Sequence, residues 1–235
     1  MNVSIPSIKE CVTLMGEFGM YENIRHHSFV VAGVASILIE KLQKLSPATP
    51  QPSRELVVAG ALLHDIAKSK CLEEKCQHAQ VGATICTELG LTELADIVRH
   101  HVILPEFQQE NYSRGLFTAR ELVFYSDKRV NHHRVVTLDD RLAYILDKYS
   151  NNELARTEVI LANFKQCTEL EKHLSGFLDF NPEDLAGPLI TVPEDAAEPI
   201  TIDVKLQYRK FNTSYLKLFQ KEQAVNDLPV MTLAE

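Results

Sequence analysis

The stretch AGALLHDIAK, residues 59–68, decides how the rest of the chain is read. Small and aliphatic residues run directly into an adjacent histidine and aspartate, and a lysine follows three positions after the aspartate. A run this apolar belongs in a core, at helical spacing with Val57 and Gly60. Ionisable groups in a core are costly unless they are paired or bind metal. Ser53 is the candidate N-cap of the helix, which is predicted to extend to about Lys68.

Outward from this stretch the chain reads as helix after helix. Ile8, Val12 and Met15 are spaced for a short first helix that Gly16 and Gly19 would end. Val31, Val34, Leu38 and Leu42 form one stripe of a second helix over Ser28–Leu45, and the prolines of SPATPQPS (46–53) make a loop. Further helices are expected over about 78–89, 92–101, 118–126, 138–149 and 153–174, with a polar loop at 105–115. The predicted class is all-α. Beyond Phe180 prolines interrupt the pattern, and Ile200, Ile202, Val204, Leu206 and Tyr208 then alternate with polar residues as in a short strand. The expected organisation is one helical domain over residues 1–180. A C-terminal arm over 181–235 follows; its strand would pair within the chain or with a second subunit of a homodimer, the alternative being an irregular arm lying on the helical domain.

Several histidines lie in phase with the apolar stripes. His27 aligns with Val30, Val31, Val34 and Leu38, His78 opens the stripe Gly82, Ile85, Leu89, and Asp127 aligns with Val123 and Phe124. In the pair His100–His101, position 101 lies four after Ile97 and three after Val98 and faces the core, whereas 100 lies four after Asp96 and faces solvent. His101 is therefore the candidate ligand and His100 at most a neighbour of the ligands. One inward histidine is ordinary core chemistry; four histidines and two aspartates, inward on successive helices, point to metal. Asp65 is suited to lie between two ions, because a carboxylate has two oxygens whereas imidazole presents one nitrogen to a metal.

RHHSFVVAGVA, AGALLHDIAK, HAQVGA, IVRHHV and YSDKRV, in that order, resemble the successive motifs of the HD-domain metal-dependent phosphohydrolases, over roughly residues 5–180. The likeness is to the HDIG-type branch, with Ala67 where that signature has glycine. It implies an HD helical bundle and a six-ligand dinuclear site. His27, His64, Asp65 and Asp127 would bind the first ion; His78 and His101 would complete the second, with Asp65 bridging. The implied reaction is hydrolysis of a phosphate ester or anhydride, of a nucleotide or another small phosphorylated molecule, by a metal-bridging hydroxide. Asp65 and Lys68 are the candidate catalytic residues, and Lys68, Lys128 and Arg129 the candidate phosphate-binding cations. The ligand types suit two divalent ions among Fe, Mn, Co, Ni and Zn. The same six ligands also serve di-iron oxygenases of this superfamily, and a non-catalytic ligand-sensing module is a third alternative.

Composition sets the remaining expectations. A formal charge of −8 opposes a nucleic-acid-binding surface. No run reaches the roughly 18 apolar residues of a membrane span, and Met1–Glu10 lacks the pattern of a secretory leader. A cytoplasmic protein is expected, with Cys11, Cys71, Cys76, Cys86 and Cys167 as reduced thiols. Cys71 and Cys76 near His78 match no familiar zinc spacing.

Overall fold

Side-chain caps set the starts of several helices. Ser7 and Glu10 form a reciprocal capping box at α1 (Ile8–Glu17), and Thr118 and Glu121 form another at α8 (Ala119–Lys128). Ser53 accepts the Leu56 N–H at α3 (Arg54–Leu63), and Thr137 accepts that of Asp140 at α9 (Leu138–Tyr149). Each such cap is worth about 1 kcal/mol. These elements are seen in a computed structural model that describes residues 5–151, 153–181 and 185. The other elements are α2 (Glu22–Leu45), α4 (Lys68–Glu74), α5 (His78–Glu88), α6 (Thr92–His100), α7 (Gln109–Ser113), α10 (Leu154–Ser175), β1 (Val130–Asn131) and β2 (Arg134–Val135).

The all-α expectation holds, with one two-residue antiparallel hairpin, Val130 opposite Val135, as the exception among the described residues. Helix α2 packs along α3, both pack against α8, and α5 pairs with α6. The buried stripe Val31, Val34, Leu38, Leu42 of α2 meets a core that includes Val57, Leu63, Val98, Leu122 and Val123. Burying each of these side chains contributes roughly 1.5–3 kcal/mol. No described helix is long and apolar enough to cross a membrane.

Three elements differ from the expected pattern. Helix α2 begins at Glu22 rather than Ser28, because the Tyr21 N–H is satisfied from a distance by Ser69 Oγ at 2.8 Å, a tertiary cap invisible to local reading. The polar stretch 105–115 contains the short helix α7, whose Tyr112 is buried and donates to Glu121. The helix after Ser53 does not run unbroken to Lys68. It stops at Leu63, and residues 64–67 form a turn closed by Ile66 N–H to Leu63 O and Lys68 N–H to Asp65 O.

The chain divides into two units, Met1–Ala186 and Gly187–Glu235. The second lies outside the described residues, as do the expected strand at 200–208 and its subunit contact.

The cysteines require a correction. Cys71 and Cys76 form a disulfide, while Cys11, Cys86 and Cys167 are free and buried. Lys75 ends α4 in the left-handed conformation at φ 55°, which folds the chain back so that Cys76 N–H bonds Cys71 O. The two Cα atoms come within 4.6 Å, inside the bridging range.

Candidate metal centre

The turn at 64–67 places consecutive residues on one cavity, which a regular helix would splay apart. His64 and Asp65 are both buried there, with side-chain exposures of 0% and 1%. Helix α2 supplies His27, the first residue of α5 supplies His78, the C-terminal end of α6 supplies His101, and the last turn of α8 supplies Asp127. All six expected ligands converge.

Their atoms form two groups that share Asp65: His27, His64 and Asp65, and Asp65, His78 and His101. Asp65 Oδ2 lies 3.4 Å from His64 Nε2, whereas Oδ1 lies 3.3 Å from His78 Nε2 and 3.5 Å from His101 Nε2. Asp127 Oδ1 joins the first group, 2.9 Å from His27 Nε2 and 3.7 Å from His64 Nε2. Ligands bound at about 2.1 Å sit about 3.0 Å apart at right angles and about 3.4 Å apart in a tetrahedron. The observed spacings suit atoms sharing an ion.

Hydrogen bonds outside the cluster aim three of the imidazoles. His27 Nδ1 donates to the His132 carbonyl at 3.0 Å, His64 Nδ1 to Ala61 O at 2.6 Å, and His101 Nδ1 to Val98 O at 2.6 Å. Each bond orients its ring so that Nε2 points into the cluster, where a metal would take it. Two atoms within the cluster, His64 Nε2 and Asp65 Oδ1, are buried without a hydrogen-bond partner. Buried polar atoms are rarely left so, and a cation between the groups would satisfy both. The donor set and these orphaned atoms therefore fit a divalent metal.

Electrostatics agree. Burial pushes His78 down to about 4 and holds His101 below its ordinary value, although Asp65 pulls the other way. Burial opposes ionisation of Asp65, but Lys68 and His64 outweigh it and hold the carboxyl well below the usual range. The same holds at Asp127, where Lys128 and His27 outweigh burial. Neutral imidazoles and ionised carboxylates are the metal-binding forms. At His64, burial is outweighed by Asp65 and the pKa rises, so the cavity favours positive charge.

The candidate cations separate in space. Lys68 Nζ donates to Asp65 Oδ2 at 2.6 Å while its side chain stays 29% exposed, so it can also meet a ligand from solvent. Lys128 is buried, donates to the His101 carbonyl at 2.9 Å and to Asp127 Oδ2 at 3.0 Å, and lies over the Phe124 ring. It supports two of the expected ligands, which corrects its expected place at the substrate phosphate. Arg129 is a second correction. Its guanidinium is fully buried and donates to Tyr125 Oη at 2.6 Å, Glu171 at 3.0 Å and the Val136 carbonyl at 2.7 Å. These bonds tie α8 to α10 and the hairpin. His100 turns to Asp96, away from the ligands.

Sequence reasoning missed His132, which acts through its carbonyl. His132 is left-handed at φ 55° in the hairpin turn. The available signal was the polar Asn-His-His-Arg between the apolar Val130 and Val135.

The family described as HD domain matches residues 24–152. Two strains of Mycobacterium tuberculosis, CDC 1551/Oshkosh and ATCC 25618/H37Rv, have a bifunctional uridylyltransferase/uridylyl-removing enzyme that is 34% identical over 74 residues. That segment is 29% of this chain and 9% of each relative, so the chain spans only a small part of the relatives' length. No solved structure matches.

Proposed function

Because the chain belongs to the HD-domain family of metal-dependent phosphohydrolases, we propose that it hydrolyses a phosphate ester or anhydride of a nucleotide at a two-ion centre. One observation carries this reading: the two oxygens of Asp65 face different histidine groups. His27, His64, Asp65 and Asp127 would hold one ion, and Asp65, His78 and His101 the other. When bound, such ions activate water and neutralise phosphate oxygens.

The chain's own residues do the rest. The carbonyls of His132, Ala61 and Val98 hold three imidazoles with Nε2 pointing into the cluster. Lys128 keeps Asp127 ionised and in place. Lys68, partly exposed beside Asp65, is placed to orient an incoming phosphate oxygen as a point charge. The likeness to a uridylyl-removing enzyme supports a nucleotidyl ester as the first substrate class to test. Membership in the HDIG-type branch, with Ala67 in place of glycine, is part of the same proposal.

The test combines elemental analysis of anaerobically purified protein with product release from a panel of nucleotide esters and anhydrides. We expect about two ions per chain, release of phosphate or nucleotide, and loss of both in Asp65→Asn. Two irons with oxygen consumption and no hydrolysis would move the chain to oxygenase chemistry. Fewer than one ion per chain after metal supplementation, with no turnover, would overturn the catalytic reading.

A further inference from the structure

Of the four histidines, His78 is held differently. The other three donate Nδ1 to a backbone carbonyl. Among the described residues His78 Nδ1 has no such partner, and its side chain is the most exposed of the four at 28%. Its aim therefore depends on the backbone that delivers it. That backbone is short: His78 opens α5 two residues after Cys76, which is bridged to Cys71 in the last turns of α4. Lys68, at the other end of α4, reaches Asp65. The disulfide thus ties the helix that begins with Lys68 to the segment that leads into His78.

The segment inside the bridge is under tension of its own. Lys75 is left-handed at φ 55° without being glycine, a conformation that costs about 1–2 kcal/mol for a side-chain-bearing residue. Two hydrogen bonds to Cys71 O, from the Lys75 N–H and from the Cys76 N–H at 3.3 Å, and the disulfide oppose its relaxation. Cys71 is buried and Cys76 is partly exposed, so the bridge can be approached from the Cys76 side.

We infer that Cys71–Cys76 is a thiol–disulfide switch that sets the affinity of the second ion site, the one completed by His78 and His101. This rests on the two-ion reading above. In the reducing direction, a thiolate of a dithiol reductant attacks Cys76 Sγ, and the Cys71–Cys76 bond breaks. Cys71 leaves as thiolate and takes a proton. The reductant's second thiol then attacks the mixed disulfide, releasing Cys76 as a thiol and the reductant as its own disulfide. Two electrons and two protons pass to the chain. Lys75 can then leave the left-handed region, residues 75–77 relax, and His78 loses its fixed aim. The first site, whose two histidines are both held by carbonyls, is unaffected. Outer supports of metal ligands are typically worth 10–100-fold in affinity.

The test titrates Mn²⁺ into the full chain in three states: oxidised, reduced with a phosphine and desalted anaerobically, and Cys76→Ser, with Cys71→Ser as a second variant. Blocked-thiol mass analysis of the oxidised sample is expected to show the bridge. The expected result is one ion bound alike in all states and a second bound about tenfold or more weakly without the disulfide. A second-ion affinity equal in all states, with two ions bound, overturns the switch and leaves the two-ion centre standing. Five free thiols in air-exposed protein also overturn the switch alone. No second ion in any state at saturating Mn²⁺ overturns the two-ion reading itself.

Discussion

Replacing Lys128 by methionine separates a supporting cation from a substrate-binding one. Methionine keeps an unbranched apolar stem over the Phe124 ring, so packing is largely preserved. The change removes one partner from a buried pair in which the Lys128 and Asp127 side chains are 7% and 11% exposed and 3.0 Å apart. Removing one partner of such a pair costs about 3–5 kcal/mol. Asp127 keeps His27 at 2.9 Å, which favours the low end, and the His101 carbonyl loses a donor. At about 3 kcal/mol and roughly 2–4 °C per kcal/mol for a unit of this size, the metal-free variant should melt about 6–12 °C lower. Saturating divalent metal should close more than half of that gap, because a cation bound beside Asp127 replaces the missing charge and so stabilises the variant more than wild type. The assay is thermal melting after exhaustive chelation, with and without added Mn²⁺. Metal-free melting within about 2 °C of wild type, together with a raised KM, would refute the argument and return Lys128 to the substrate.

His101→Ala should lower metal content per chain and His100→Ala should not, because only His101 faces Asp65; equal losses would contradict the assignment. Lys68→Ala should keep its metal and raise KM for a phosphate substrate by about tenfold, roughly 1.4 kcal/mol of lost contact, and an unchanged KM would exclude that contact. Gly82→Ala should destabilise the fold. Its Cβ would lie 2.8 Å from Val98 Cγ1 and 3.3 Å from Ile66 Cγ2, and overpacking of about 1–3 kcal/mol matches or exceeds the roughly 1 kcal/mol gained in helix propensity. A melting temperature at or above wild type would show that α5 and α6 can yield there.

Most of the helices were legible from the apolar stripes, and so was the inward phase of His27, His78, His101 and Asp127. These depend on local periodicity, which a sequence displays directly. What escaped depended on distant partners. The early start of α2 rests on Ser69, 48 residues from Tyr21. The burial of Lys128 and Arg129 follows from α10 closing over α8, so cations at a helix end looked exposed when they were not. The break at 64–67 was missed because His64, Asp65, Ile66 and Ala67 contain neither glycine nor proline. The Cys71–Cys76 bridge was missed because a lysine, not a glycine, makes the left-handed turn that allows it.

The expected ligands of the first group are far apart in the chain: His27 and Asp127 are separated by 100 positions. An ion held by both is therefore a topological cross-link as well as a reagent. In the chain-entropy description, closing a loop of about 100 residues removes about 4.7 kcal/mol of freedom from the unfolded ensemble, provided the link survives there. Metal bonds do not survive unfolding as covalent ones do, so the cross-link acts on the folded side, restraining every excursion that would part α2 from α8. Local opening should then slow when metal is present, which proteolysis or hydrogen exchange would register across helices that touch no ligand.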